Sequence, residues 1–281
     1  MPEGPEIEVV RRLLEPGLLG ATITGITVNK PRMSRPHTTE ALRRKVLGRQ
    51  IQSWTRRGKY LVLGLGNTSL ILHLGMTGRL YLGARTAVEP AHTAAIIRID
   101  EDAALTLKDP RGFGRISTDV QLIEGIAPDP LSPEWSKVDL ETCLMGSGRA
   151  VRDLLLDPRR IGGIGNIYAN EALFVAGVHP ALPGRKLTKR DLPRLRQAMR
   201  AVFGEAVDFG MSLRLDLEGT HQQNGLFYFG TLPQEEKPAP KERFRVYDRL
   251  GAPCQACRTP IEKITLTGRS AYFCPQCQNL A

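Results

Sequence analysis

Four cysteines near the carboxyl end of the chain have the spacing of a metal site. They form two pairs, Cys254-x2-Cys257 and Cys274-x2-Cys277, with sixteen residues between the pairs. Four thiolates at this spacing favour one tetrahedral zinc ion, which would supply the folding free energy that so short a segment cannot obtain from a core. Two disulfides or four unrelated thiols are the alternatives, and a chain without a secretory signal disfavours them. We therefore predict a zinc hairpin, which also displays Lys263 and Arg269.

The amino end, Met1-Pro2-Glu3-Gly4-Pro5-Glu6, carries residues suited to nucleophilic catalysis. A small second residue normally allows the initiator methionine to be removed, which would give Pro2 a free secondary amine. Because an α-amino group has a pKa of about 7.7–8.0, against about 10.4 for lysine, it is the more available nucleophile. Its attack on a sugar aldehyde carbon would give an iminium that acts as an electron sink, with Glu3 and Glu6 to move protons. An ordinary helix start is the alternative.

Two other segments have residue types that bind phosphate. The glycine-rich run 161–166 lies between two predicted helices, where backbone N–H groups and the Asn166 amide would face an anion. Lys59 follows the basic turn Arg56-Arg57-Gly58 and is placed to reach a DNA phosphate or a reacting sugar. The alternatives are a packing turn and a solvated charge at a strand end.

Three large side chains lie on glycine-flanked turns, namely Met76, Arg111 and Phe113. Side chains of this size can act as wedges that fill the gap left when a nucleotide is extruded from a duplex. Taken singly, each is also typical of a packing residue. His73 has no companion ligand pattern, and we interpret it as structural.

The composition indicates a globular protein with a polyanionic partner. The chain has 281 residues, and its 39 Lys and Arg against 29 Asp and Glu give a net charge of +10. Nucleic acid is favoured over membrane, because the longest apolar runs are far shorter than the roughly 20 residues of a bilayer span. We expect a soluble, cytoplasmic protein.

Hydrophobic periodicity predicts a β-rich first half and a helical second half. An amphipathic helix over 7–14 precedes short strand-like runs, which predict an antiparallel sandwich or flattened barrel. The predicted strands are 21–28, 60–65, 69–74, 94–99 and 104–107. The predicted helices of the second half are 139–145, 149–156, 167–176 and 192–207.

Prolines and charge mark the predicted domain boundaries. Three prolines within 125–133 predict a linker, and the stretch 234–243, rich in Pro, Lys and Glu, predicts a mobile loop. We predict a β domain over 1–125, a linker over 126–133, a helical domain with a lesion-recognition loop over 134–243, and a zinc finger over 244–281.

Together these motifs resemble the formamidopyrimidine-DNA glycosylase and endonuclease VIII family. The resemblance covers essentially the whole chain, in the right order, and rests on Pro2-Glu3, Lys59, Gly165-Asn166-Ile167-Tyr168, and the four-cysteine finger with Arg269. It implies an α+β multidomain protein. An N-terminal antiparallel β-sandwich with flanking helices would precede a C-terminal helix-two-turn-helix domain with a zinc-finger hairpin, and DNA would lie between the domains.

The resemblance also implies an activity, that of a bifunctional DNA glycosylase and abasic-site lyase of base excision repair. Pro2 would attack the anomeric carbon, Glu3 would move protons, and the Schiff base would drive β- and δ-elimination with Lys59 in the site. One structural zinc ion, double-stranded damaged DNA and a monomeric state complete the expectation, without membrane association. The implied DNA-binding residues are Glu6, Met76, Arg111, Phe113, Asn166, Tyr168, Lys263 and Arg269.

The damaged base is the least specified part of the expectation. Gly4 and the stretch 261–266 resemble endonuclease VIII, whereas 73–76, 109–114 and 165–169 look like the formamidopyrimidine branch. We predict oxidised purines as substrates, namely 8-oxoguanine and formamidopyrimidines. Oxidised pyrimidines are the alternative, and a damaged-DNA-binding protein without catalysis is the second alternative.

Overall fold

The computed structural model describes residues 1–85, 92–213 and 244–280. The chain divides into two compact units, the first built on Met1–Glu124 and the second on Gly125–Asp208 together with 244–280. The loop expected over 234–243 and the lesion-recognition segment from 214 onwards lie outside the described residues. Across the described ranges, none of the helices is long and apolar enough to cross a membrane.

Unit 1 contains two antiparallel four-stranded sheets. One has the order β1-β6-β7-β5 and the other the order β2-β3-β4-β8. The strands are buried in their middle residues: β4 has three consecutive buried residues between half-buried ends, and β7 buries Ala104, Leu105 and Leu107. Their bounds are β1 Ile23–Val28, β2 Ser53–Arg57, β3 Tyr60–Gly64, β4 Ser69–His73, β5 Arg79–Ala84, β6 Thr93–Ile99, β7 Ala103–Lys108 and β8 Arg115–Ser117.

Three helices accompany these sheets, α1 (Gly4–Leu14), α2 (Thr39–Val46) and α3 (Gln121–Glu124). Helix α1 buries an apolar stripe that includes Ile7 and Val10. The helix is fixed to β2 by a hydrogen bond, which Trp54 Nε1 donates to the Arg11 carbonyl at 2.8 Å. Trp54 is buried at this contact, with 2% of its surface exposed.

Unit 2 is helical and ends in a two-stranded hairpin. Its helices are α4 (Leu140–Leu144), α5 (Val151–Leu155), α6 (Asn166–Ala176) and α7 (Asp191–Ser212), and its strands are β9 (Glu262–Leu266) and β10 (Arg269–Phe273). A continuous apolar core joins the helices, and the predicted α+β fold class is confirmed.

The proline-rich segment predicted as a linker is bonded to unit 2. The Ala127 N–H donates to the Pro158 carbonyl at 2.9 Å, and the Gly162 N–H donates to the Pro128 carbonyl at 3.1 Å. Backbone bonds of this kind fix the segment to the helices. The domain boundaries themselves stay a prediction.

Candidate functional site

The amino end of unit 1 is held by the start of its own helix. Glu3 is the N-cap of α1, and a reciprocal capping box joins it to Glu6, whose carboxylate accepts the Glu3 N–H at 2.8 Å. Pro2, Glu3 and Glu6 are all buried. The chain end is therefore fixed in place by bonds that satisfy the free N–H groups of the first turn.

The environment of the amino end favours a neutral amine. The pKa of the Met1 amino group is lowered from 8.0 to about 6, mainly by burial. The positive charge of Lys59 also lowers this pKa, whereas the carboxylates of Glu3 and Glu6 raise it. A group with this pKa is mostly deprotonated at neutral pH. The structure thus brings three predicted site residues, Glu3, Glu6 and Lys59, into electrostatic contact with the amino group.

Glu6, which was predicted to bind DNA, lies inside the capping box. It is 1% exposed and its carboxylate accepts the Glu3 N–H. Glu6 therefore positions Glu3 and the amino end, and its contact with DNA stays a prediction.

Lys59 lies in the two-residue turn between β2 and β3. Gly58 precedes it with φ of +57°, a conformation that glycine adopts without steric cost. Arg56 Nη1 donates to the Gly58 carbonyl at 2.7 Å. The turn that carries Lys59 is therefore braced from the preceding strand.

His73, interpreted as structural from the sequence, lies beside this turn. It pairs across the strands with Tyr60, with ring centroids 4.6 Å apart, and its Nδ1 accepts the Gly75 N–H at 3.1 Å. Burial, with the charges of Lys59 and Arg115, lowers the pKa of His73 to about 4. A neutral imidazole whose Nδ1 accepts keeps its proton on Nε2, so His73 offers a donor near Lys59. Only the strand register reveals this position.

The turn that carries Met76 and the turn that carries Arg111 and Phe113 form one hydrogen-bonded framework around Asp109. This fully buried residue accepts the Thr77 hydroxyl at 2.9 Å on Oδ1 and the Gly114 N–H at 2.7 Å on Oδ2. It therefore joins the turn that carries Met76 to the turn that carries Phe113. Met76 and Phe113 are 41% and 52% exposed, so both side chains are accessible to a binding partner.

Two cations from another segment support the same framework. Lys30 Nζ donates to the carbonyls of Asp109 and Pro110 at 2.6 and 2.8 Å. Arg32 donates to the Arg111 carbonyl, and the Arg111 guanidinium lies 4.7 Å from the centre of the Phe113 ring. Sequence reasoning missed Lys30 and Arg32, because nothing in their own segment indicates a partner about eighty residues away.

In unit 2, Asn166 begins α6 directly after the glycine-rich turn. Its side-chain amide donates to the Ser270 carbonyl on β10 at 3.0 Å, which leaves its second N–H for another acceptor. Within the described part of the chain, its buried Oδ1 has no hydrogen-bond partner. Asn166 thus links the predicted phosphate-binding turn to the hairpin that carries Arg269.

Tyr168, which was predicted to bind DNA, lies on α6 next to the core. The residue is 1% exposed and its ring packs edge-on against Phe203 at a centroid distance of 5.4 Å. The ring is therefore part of the hydrophobic core of unit 2, and a contact of Tyr168 with DNA stays a prediction.

The four cysteines come together as predicted. Their sulfur atoms all lie within 4.8 Å of one another, and Cys254 and Cys274 are buried. Zinc–sulfur bonds of about 2.3 Å in a tetrahedron place the sulfurs about 3.8 Å apart. The donor set and spacing fit one zinc ion with four thiolates, which leaves no coordination position for water.

A buried ion pair fixes the hairpin to α5. Arg152, with no exposed surface, donates to the carbonyls of Leu266 and Ser270 at 3.2 and 3.1 Å and pairs with Asp153 at 2.7 Å. The Asp153 carboxylate also accepts the Thr267 hydroxyl at 3.1 Å. These bonds hold the turn between β9 and β10, next to the exposed Arg269 at the start of β10, and no local sequence pattern indicates them.

A second buried carboxylate holds the chain that enters the hairpin. Glu171 on α6 accepts three consecutive backbone N–H groups, from Arg245, Val246 and Tyr247, at 2.8 to 2.9 Å. It is 2% exposed. These three hydrogen bonds compensate the burial of the Glu171 carboxylate and fix residues 245–247 to α6.

Family models match three successive parts of the chain. They describe the formamidopyrimidine-DNA glycosylase N-terminal domain at residues 1–116, the formamidopyrimidine-DNA glycosylase H2TH domain at 126–215, and a zinc finger found in FPG and IleRS at 251–280. With the cysteine geometry, the zinc-finger match shows that the four thiolates hold one structural zinc ion. The predicted cofactor is confirmed.

Whole proteins match over their full length. Formamidopyrimidine-DNA glycosylases of Chloroflexus aggregans and Thermus thermophilus are each 38% identical, over 100% and 99% of this chain and 99% and 98% of their own length. The crystal structure of the Lactococcus lactis enzyme with DNA containing an oxidised pyrimidine has a TM-score of 0.83 at 30% identity, covering 99% of this chain and all of that one. A complex of the same enzyme with abasic-site DNA has a TM-score of 0.81 at 29% identity with the same coverage. This chain therefore belongs to the formamidopyrimidine-DNA glycosylase family.

Proposed function

We propose that this protein is a DNA glycosylase and abasic-site lyase of base excision repair that removes oxidised purines. The observation that carries the proposal is the amino end, where Pro2 and Glu3 are buried and the adjacent Met1 amine, whose pKa is lowered, lies close to the charges of Glu3, Glu6 and Lys59. Full-length similarity to formamidopyrimidine-DNA glycosylases supports the same activity. Oxidised pyrimidines are the alternative, favoured by the Lactococcus lactis complex with such a base.

Removal of Met1 would expose the secondary amine of Pro2 at a buried position. The amine forms a bond to C1′ of the damaged nucleotide, the bond from C1′ to the base breaks, and the base leaves with the electron pair and a proton. Glu3 is the group placed to move protons, since it directly follows Pro2 and is held by the capping box. Opening of the sugar then gives an iminium between Pro2 and C1′.

The iminium acts as an electron sink for two eliminations. Loss of a C2′ proton expels the 3′ phosphate, and loss of a further proton expels the 5′ phosphate. Water then releases the remaining sugar fragment and restores the amine. Lys59 offers a positive charge close to the amino end, where it lowers the pKa of the Met1 amine, and it would attract the anionic backbone.

The remaining predicted residues bind and deform DNA. Met76, Arg111 and Phe113 would enter the duplex at the space left by the extruded nucleotide, supported by the Asp109 framework. Asn166, Lys263 and Arg269 would bind phosphates on the α6 turn and the zinc hairpin. The protein would act as a monomer on double-stranded damaged DNA in the cytoplasm.

Borohydride trapping tests the proposal. The purified protein, with Met1 removed, is incubated with duplexes that carry 8-oxoguanine, an oxidised pyrimidine or an abasic site, and Pro2→Gly and Glu3→Gln serve as comparison variants. We expect a covalent adduct on 8-oxoguanine and on the abasic site, lost in Pro2→Gly and reduced on 8-oxoguanine in Glu3→Gln. An adduct on the pyrimidine duplex but not on 8-oxoguanine would move the substrate to the alternative, and no adduct on any duplex would contradict the activity.

A further inference from the structure

We propose that Glu8 is a positioning residue, which sets the Lys59 turn against the reacting amino end through Arg56. The inference rests on the proposed function and names a residue that the proposed chemistry and DNA binding do not use. It follows from a chain of contacts that joins two separate segments of unit 1.

Glu8 lies on α1, one turn beyond the capping box. Its side chain is 9% exposed, and its two oxygens accept guanidinium N–H groups from Arg11 at 3.0 Å, Arg12 at 2.8 Å and Arg56 at 3.1 Å. Burial opposes ionisation of the carboxyl, but the hydrogen bonds from Arg11 and Arg12 and the charge of Arg56 outweigh it and lower the pKa of Glu8 to about 2. Glu8 is therefore an anion under all ordinary assay conditions.

Arg56 carries the connection from α1 to the turn. It lies on β2 with a side chain that is 5% exposed, so it has little freedom to move. While Nε donates to Glu8, Nη1 donates to the Gly58 carbonyl at 2.7 Å, one residue before Lys59. A planar guanidinium holds these two hydrogen bonds in fixed directions at the same time, which a lysine ammonium does not.

The two ends of this connection are the two parts of the proposed site. The amino end belongs to the first turn of α1, and Lys59 belongs to the β2–β3 turn, with Glu8 and Arg56 between them. Because misplacement by about 1 Å can cost about a hundredfold in rate, a connection of this kind controls chemistry more than binding. The Glu8 carboxylate itself is occupied by guanidinium groups and has no part in proton transfer.

Glu8→Gln removes the charge and offers Arg56 a weaker, neutral acceptor. The matched variant is Glu15→Gln at the C-cap of the same helix, which loses an ion pair with Arg11 at 2.8 Å but leaves the connection to Arg56 intact. Arg56→Lys is the second test, because it keeps the positive charge near Glu8 and loses the two-way hydrogen bonding. The measurements are the single-turnover rate of base removal at saturating protein and the Kd for a duplex containing a stable abasic analogue.

We expect Glu8→Gln and Arg56→Lys to lower the single-turnover rate by at least about tenfold while Kd changes by less than about threefold. Glu15→Gln should leave both quantities within about twofold of the unmodified protein. Circular dichroism gives the folded fraction, from which the concentration of folded protein is set to saturate the duplex in every variant, and if Glu8→Gln does not fold, Arg56→Lys decides alone.

Unchanged rates in the folded variants, or rate and Kd altered by the same factor, would overturn the role of Glu8. If the unmodified protein forms no borohydride adduct, the proposed function fails and this inference fails with it. An active unmodified protein with active variants refutes the inference alone.

Discussion

The amino end of unit 1 and the zinc hairpin of unit 2 both present functional side chains on short segments, yet they are fixed in different ways. The amino end uses hydrogen bonds of its own helix and the ion pairs of Glu8. The hairpin is held by a metal ion and by hydrogen bonds from buried side chains of α5 and α6. A segment at the start of a core-forming helix is fixed without a metal, whereas a hairpin with almost no core of its own needs one.

Removal of zinc should give the largest effect, and it separates the two regions. Chelation should lower the affinity for duplex DNA by about a hundredfold or more, because the hairpin that carries Lys263 and Arg269 loses its source of folding free energy. Unit 1 should keep its strands, since its sheets do not depend on the metal. Circular dichroism and a binding titration measure both, and global unfolding on chelation would contradict the difference between the regions.

Arg152→Ala should have the next largest effect, because it removes the hydrogen bonds from α5 to the hairpin while the zinc ion stays bound. It would leave the Asp153 carboxylate and two carbonyl groups of the hairpin without their buried donor, at a cost of about 3 kcal/mol in the free energy of unfolding. The comparison variant Arg194→Ala removes a guanidinium that is 58% exposed and should cost below about 0.5 kcal/mol. Equal urea unfolding curves for the two variants would show that zinc alone fixes the hairpin.

The loss of stability of unit 1 at acid pH gives a further test, because unit 1 contains the buried His73. The folded pKa of His73 is about 4, below its usual 6.5, so the unfolded state takes up a proton that the folded state excludes. Stability should therefore fall as the pH drops from 6.5 towards 4, by on the order of 2 kcal/mol at pH 5. His73→Gln should flatten this part of the pH profile, measured by urea unfolding at successive pH values; an unchanged slope would exclude His73 as its cause.

Lys263→Ala should give the smallest effect. Its side chain is exposed on β9, opposite Tyr272, and no described residue depends on it for packing. We expect a uniform loss of DNA affinity of about 1 kcal/mol for all sequences, with the slope of log K against log salt reduced by about one. A loss that depends on the damaged base would give Lys263 a role in recognition instead.

The sequence predicted chemistry on contiguous segments better than it predicted the supports of that chemistry. The cysteine spacing and the amino end are local patterns, and the structure assembles both. The bonds from Arg152 to Ser270 and from Glu8 to Arg56 span 118 and 48 positions, and no local pattern reports such pairs. They depend on which strands and helices meet.

Other differences between expectation and structure have local physical causes. Capping and helical periodicity turn the side chains of Glu6 and Tyr168 inward, which the motifs that contain them did not indicate. Helix α2 was missed, because three of its eight residues are basic and only Leu42 and Val46 are buried, which gives little apolar periodicity. Strand β8 has only three residues and relies on its pairing with β4.

The most direct test of the central claim is the location of the covalent bond. The adduct reduced by borohydride on an abasic duplex is digested with nuclease and protease, and tandem mass spectrometry identifies the modified atom. The account predicts a sugar remnant on the nitrogen of Pro2, in a peptide that begins at Pro2. A remnant on Lys59, or an adduct on a peptide that still begins with Met1, would contradict it.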